Sequence, residues 1–375
     1  MSFCRLCRRE TPGAPALRYP GMPALSQHLP EKPEPGGVEL RIFECPYCGL
    51  VQLDNDPVPY YREVIRAAAY SPEMGGFRRR QFSEWVRANG LEGKKIFEPG
   101  CGRGEYLKLL RKSAKVEVFG VEYGEAAVSA ARAEGLEVER RFFETGEEKL
   151  AAAPFDGFFT FNYLEHLPDP GAFLRGISAN LRDGAAGLVE VPNFDLMLRK
   201  EMFGEFTIDH LFYFTAPTLR RMLETNGFDV LDCRVVWHDY ILSAGVRKRR
   251  STDFSGFGAA AEKLFGELRK FCGNAPREAL AVWGAGHQAF ALLAASKLAE
   301  RFCCIIDSAK FKQGRYAPAS ALPIVAPEAL DDGRIRRIVV MAGSYSDEVA
   351  SQIRAGYGRR HTLALLREDH LETVP

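Results

Sequence analysis

Two acids around a cluster of glycines carry the first recognisable chemistry in this chain. Glu98-Pro99-Gly100-Cys101-Gly102-Arg103-Gly104 follows a short apolar run, Ile96-Phe97. After it, Glu105 to Lys112 places Tyr106, Leu109 and Leu110 on one helix face. Glycines at this density make a turn whose backbone can approach a ligand closely. Val116 to Val121 reads as a second strand, closed by Glu122. Strand, glycine turn, helix, strand and closing acid form the first unit of a nucleotide-binding α/β sheet, where the closing acid takes ribose hydroxyls.

The second chemistry is metal binding. Cys4-x-x-Cys7 and Cys45-x-x-Cys48 are two knuckle-type pairs, and four thiolates complete a tetrahedral zinc site with no position open for catalysis. The expected ion is structural zinc; four buried free thiols are the competing reading. Between the pairs lies a loop with Pro30, Pro33, Pro35, Gly36 and Gly37 and no core of its own, so such a module needs a staple.

The 375 residues are 46% hydrophobic and 26% charged, with a net charge of +1, which predicts two or three soluble globular domains. This balance gives no global drive toward nucleic acid or an anionic membrane. No run approaches the ~20 apolar residues of a membrane span, and Met1 to Arg5 do not open a signal peptide. A cytoplasmic protein is expected, in which nine cysteines mean metal or plain thiols and not a disulfide frame. The expected partner is a small molecule, with no nucleic acid and no membrane, and the chain is expected to be a monomer or homodimer. Arg78-Arg79-Arg80 and Arg247-Lys248-Arg249-Arg250 read as solvated faces or linker.

The elements that must position these residues alternate along the chain. Helical stretches run from Tyr60 to Ala69 and from Gly75 to Asn89, broken at Tyr70-Ser71-Pro72; Tyr70 is either a lid over a ligand or a packing residue. A helix from Ala126 to Glu134 ends at Gly135, and Leu136 to Val138 is a third strand. Phe155 to Phe161 is apolar on both faces, as a buried parallel strand is. A helix from Phe173 to Asn180, a strand from Ala186 to Pro192, an insertion from Phe194 to Phe206, a helix from Thr218 to Asn226 and strands at Gly227–Val230 and Val235–Ser243 follow. The run predicts one doubly wound α/β sheet of about seven strands.

The turn Glu98 to Gly104 resembles the first motif of class I S-adenosylmethionine-dependent methyltransferases. Asn162-Tyr163-Leu164-Glu165-His166-Leu167-Pro168-Asp169-Pro170 is similar to a signature of one large branch of them. The resemblance implies S-adenosylmethionine as cofactor. It places Glu98 near the methionine amine, Glu122 at the ribose with Tyr123 beside it, and Gly100, Cys101 and Gly102 in the binding turn. Phe142-Phe143 stands where such enzymes pack the adenine, with Phe143 the candidate and core packing the alternative. Asn162 ends the fourth strand, and His166 either faces the ligands or caps the next helix.

Past Thr252 a new unit begins. Leu280 to Trp283, the turn Gly284-Ala285-Gly286-His287 and Cys303 to Asp307 imitate a dinucleotide fingerprint, but Asp307 is followed by Ser308-Ala309-Lys310-Phe311-Lys312-Gln313-Gly314-Arg315-Tyr316. A cysteine module, a methyltransferase core and a Rossmann-like domain with this sequel resemble, in that order, the nucleotide-sugar C-methyltransferase family. The resemblance spans nearly the whole chain and implies residues 1–75, 76–250 and 251–375 as three domains. It also implies a nucleotide-linked sugar as substrate, lying between the central and last domains. The family's Y-x-E-H-x-x-Y-F-S segment matches Thr207 to Thr215, with Thr207 and Asp209 in place of its tyrosine and glutamate.

Carbon methylation beside a ketone needs a base to form an enolate. His210 is the expected base, because imidazole titrates near neutral pH. Asp209 orients it or holds a substrate hydroxyl, and His166 positions substrate. A packing role for His210 beneath Tyr213 is the alternative. Methylation of oxygen, or a non-catalytic sugar-nucleotide-binding protein on a relic fold, are the competing functions.

Overall fold

The computed structural model describes residues 3–11, 13–27, 31–32, 36–63 and 70–374. Pro30, Pro33, Pro35 and residues 64–69 of the expected helix from Tyr60 lie outside the described residues. The chain forms two compact units, Met1–Ser251 and Thr252–Pro375.

The first unit is built on seven strands: β1 (Lys95–Pro99), β2 (Glu117–Glu122), β3 (Glu137–Arg140), β4 (Phe155–Phe161), β5 (Leu181–Pro192), β6 (Phe228–Val236) and β7 (Ile241–Lys248). Their order is β3-β2-β1-β4-β5-β7-β6, with β7 antiparallel to both neighbours and the other pairings parallel. This is the expected class I methyltransferase sheet. The order reverses between β1 and β4, and at such a switch point the carboxyl ends of the strands open a crevice. Pro99, Glu122, Phe161 and Pro192 end the strands that border it.

Local chemistry starts the helices that flank the sheet. Asp169 caps Pro170–Ala179 by accepting from the Ala172 N–H at 2.9 Å, with Pro170 at the first helical position. Thr215 and Thr218 form a capping box on Ala216–Thr225.

The structure departs from the sequence reading in three places. The strand expected over Val235–Ser243 is a hairpin, reversed at Trp237, His238 and Asp239 with φ of 48°, 55° and 63°. Asn193 holds the turn, donating from Nδ2 to the Asp239 carbonyl at 2.7 Å and from its N–H to the Tyr240 carbonyl at 2.8 Å. β7 then continues through Arg247 and Lys248, which pair with Ala186 and Phe228 and so belong to the sheet and not to a linker. Arg78, read as part of a solvated basic run, is fully buried in the helix Pro72–Ala88 and ion-paired with Glu190 of β5. Its guanidinium lies 4.0 Å over the Phe161 ring.

The cysteine module contributes the antiparallel strands Leu17–Met22, Val38–Glu44 and Val51–Leu53, and Phe212–Tyr213 joins them as a fourth. Its apolar residues Leu40, Ile42, Leu50 and Leu53 share one cluster with Phe97, Phe158 and Tyr213, so the module and the central sheet have a continuous core.

The second unit carries β8 (Leu280–Trp283), β9 (Cys304–Ile306), β10 (Ile324–Val325), β11 (Arg337–Val340), β12 (Thr362–Leu366) and β13 (Leu371–Val374), ordered β10-β9-β8-β11-β12-β13. All pairings are parallel except β12 with β13. This is the expected Rossmann-like sheet. Asp307, placed like a ribose-binding acid, accepts from the Ala285 N–H at 2.8 Å and from Lys312 Nζ at 3.0 Å. Gly284 has φ +109°, and a Cβ there would lie 2.5 Å from the Met341 carbonyl oxygen, so close strand packing accounts for that glycine.

Candidate functional site

The four cysteines converge. Cys4 Sγ lies 3.5 Å from Cys48 Sγ, Cys7 Sγ 3.5 Å from Cys45 Sγ, and all four sulfurs lie within 4.8 Å of one another. Tetrahedral zinc–thiolate bonds of ~2.3 Å put sulfurs about 3.8 Å apart, so the cluster fits the ion. Both knuckles close through a left-handed residue, Arg8 at φ 60° and Gly49 at φ 74°.

The glycine turn leaves β1 with Gly100, Gly102 and Gly104 at φ 74°, 55° and 75°. Glu122, only 1% exposed, draws this turn in: Oε2 accepts from the Gly102 N–H at 2.9 Å, and Oε1 from Tyr123 and Gly124 at 2.9 and 2.8 Å. Glu98 is fully buried at the end of β1. The Cys101 side chain packs inward, under Gly120, where an added Cβ would lie 2.6 Å from its sulfur. Gly100, Glu122, Tyr123, Phe142 and Phe143 line one narrow recess with Tyr163 and Phe173. Phe143 is 1% exposed and packs edge-on to Phe173, whereas Phe142 is half-buried and edge-on to Tyr61 and Tyr123.

The larger opening is a cleft of about 470 Å³ at the carboxyl end of β4. Asn162, Glu165, His166, Asp209 and His210 all line it, with Tyr60, Tyr70, Tyr106 and Tyr163. Asn162 takes φ +48° as the chain leaves β4, and its N–H donates to the Glu190 carbonyl at 2.8 Å. Such a left-handed asparagine re-aims the chain at the sheet edge. Tyr70 stacks on Tyr106 with centroids 6.0 Å apart.

The two histidines meet edge to face, with ring centroids 4.7 Å apart. His166 Nδ1 is 2.9 Å from the Asp209 carbonyl oxygen, which can only accept, so Nδ1 carries the proton. Burial lowers the His166 pKa against the pull of the Asp209 carboxylate. Burial, and then His166, push His210 well below the ordinary imidazole value. Both rings are therefore neutral at pH 7. Glu165 is 1% exposed and burial raises its pKa to about 8.

Glu165 and Tyr60 are among the cleft residues that sequence reasoning passed over. Glu165 stood in the motif beside His166, and that adjacency was the available signal. Tyr60 had none: its hydroxyl bonds to Asp209, 149 positions later.

Two family models match the chain. Residues 74–232 match the family model "Methyltransferase domain", and residues 244–362 match "C-methyltransferase C-terminal domain". The C-methyltransferase NovU of Streptomyces niveus is 25% identical over 92% of this chain and 90% of its own length. A ubiquinone biosynthesis O-methyltransferase of Aeromonas salmonicida is 30% identical over 40% of this chain and 69% of its own length. Among solved structures, magnesium protoporphyrin IX methyltransferase from Synechocystis has a TM-score of 0.38 and 16% identity, over 47% of this chain and 84% of that one. Among the described residues no helix is long and apolar enough to cross a membrane.

Proposed function

We propose, for a chain that belongs to the S-adenosylmethionine-dependent methyltransferases, that it methylates a carbon of a nucleotide-linked sugar with His210 as general base. The single observation that carries the base assignment is the pair of neutral imidazoles at the switch-point crevice, one fixed by the Asp209 carbonyl and the other lining the cleft. The match of the last unit to a C-methyltransferase domain supports carbon as the acceptor.

S-adenosylmethionine would supply an activated methyl group on its sulfonium. In this reading Glu98 and the turn Gly100–Gly102 hold its amino-acid end, Glu122 and Tyr123 the ribose, and Phe142 and Phe143 flank the adenine. Asn162 borders the sulfonium. His210 takes the proton from the carbon beside a sugar ketone, His166 holds a substrate oxygen, and Asp209 orients the segment. Cys4, Cys7, Cys45 and Cys48 hold structural zinc. Proximity supplies much of the rate once acceptor and donor share the cleft.

Methylation of oxygen is the second reading, favoured by the ubiquinone O-methyltransferase match over the central domain. Incubation with a nucleoside diphosphate-linked ketosugar and a carbon-13-labelled methyl donor separates the two. A new methyl carbon coupled to a sugar carbon supports the proposal; a methoxy signal supports the alternative.

A further inference from the structure

A fully buried carboxyl group needs a donor, a cation or its own proton. Neither carboxyl oxygen of Glu165 has a hydrogen-bond partner among the described residues, and the side chain is 1% exposed. Its place in the fold is fixed nonetheless, because its backbone carbonyl accepts from the Leu211 N–H at 2.8 Å. His166 Nε2 is 4.0 Å from Oε1, and one ligand atom from each of Glu165, His166 and His210 lies within 4.8 Å of the others.

These three groups have the chemistry of a ligand set. Since His166 Nδ1 is committed to the Asp209 carbonyl, Nε2 is the nitrogen left to bind, and a backbone carbonyl behind the ring is the support that ligating histidines ordinarily have. Two imidazoles and one carboxylate lining the same cleft form a donor set for late first-row divalent ions. Tetrahedral bonds of ~2.1 Å place neighbouring ligand atoms about 3.4 Å apart, so modest side-chain rotations close the trio, now within 4.8 Å, around an ion.

We propose that Glu165, His166 and His210 form a second metal site, separate from the cysteine cluster and selective for late first-row divalent ions such as cobalt or zinc. An ion here would take the place of the proton that the buried carboxyl group otherwise needs. It also occupies the His210 lone pair; on the reading of His210 as the base, a filled site halts proton abstraction.

The test titrates the full-length protein, isolated with its cysteine-bound zinc, with cobalt(II) by calorimetry and visible absorption. One further equivalent is expected, with a ligand-field spectrum lacking the thiolate charge-transfer band that exchange into the cysteine cluster would give. Glu165→Gln and His166→Asn should each weaken uptake at least tenfold at an unchanged melting temperature. The pair guards against misfolding of either variant. No uptake beyond the cysteine-bound ion, or equal uptake by wild type and both folded variants, overturns the site. Methyl transfer followed in the same samples should fall as the site fills. Should cobalt bind and raise turnover, the metal site stands, and the reading of His210 as base is what fails.

Discussion

Tyr60 donates its phenolic hydrogen to Asp209, 2.9 Å from Oδ1 and 3.2 Å from Oδ2, and so joins the segment before the central sheet to the segment that carries His210. Asp209 is 2% exposed, so this contact is its compensation for leaving water. The same hydroxyl accepts from the Ser26 and Gln27 N–H groups at 3.2 and 3.3 Å. Tyr60→Phe strips the buried carboxylate of a donor and should cost about 1–3 kcal/mol. Lower melting temperature and lower turnover, with cofactor affinity unchanged, are the expected results. Wild-type values for both would mean that Asp209 is held by something else.

Loss of the zinc proposed for the cysteine cluster should reach the cleft. The strand Val51–Leu53 of the cysteine module pairs with Phe212–Tyr213, two residues past His210, and the module shares its core with the central sheet. Cys45→Ser should release one equivalent of zinc and lower the melting temperature of the whole first unit. Elemental analysis together with calorimetry checks this; full metal content in the variant would remove the cluster from the account.

Glu122→Ala should weaken S-adenosylmethionine binding by about 1–3 kcal/mol, through loss of a buried charged acceptor. Glu122→Gln should lose less, because its amide oxygen still accepts from the turn. Titration calorimetry on both variants reads the effect, and an unchanged dissociation constant in the alanine variant would place the ribose elsewhere.

A pH-dependent contribution to stability sits in the loop after Phe143. Burial works to raise the Glu148 pKa, but N–H donation from Thr145, Gly146 and Glu144 and the Thr145 hydroxyl hold it down to about 2. A carboxylate with a depressed folded pKa stabilises above its unfolded value of about 4.3, and that stability is lost as pH falls toward about 2. Glu148→Gln should therefore be less stable than wild type at pH 7, by about 1 kcal/mol, with a smaller gap at pH 3. Urea titrations at both values test the sign; a gap that grows on acidification contradicts it.

Much of this was legible in the chain because its signals are local. A parallel strand buried on both faces carries apolar residues on both, as Phe155, Phe158, Phe159 and Phe161 do, and the spacing of the paired cysteines announces the four-sulfur cluster. The parts that escaped are non-local or lack a characteristic residue. The turn at Trp237, His238 and Asp239 uses no glycine or proline, so its flanking β-branched residues read as one strand. Arg78, on a helix, looks solvated until Glu190 closes on it from strand β5. The pairing of Phe212–Tyr213 with the cysteine module, and the bond from Tyr60 to Asp209, depend on tertiary contacts that no window of sequence contains.

Removal of a proton from substrate carbon is the central step of the account, and solvent exchange measures it without methyl transfer. A nucleoside diphosphate-linked ketosugar is incubated in deuterium oxide with the enzyme and S-adenosylhomocysteine, which fills the cofactor site but has no methyl group to give. The account predicts deuterium at the carbon beside the ketone with wild type, and exchange slower by about 10²–10⁴ with folded His210→Asn. Exchange by His210→Asn at the wild-type rate would contradict it.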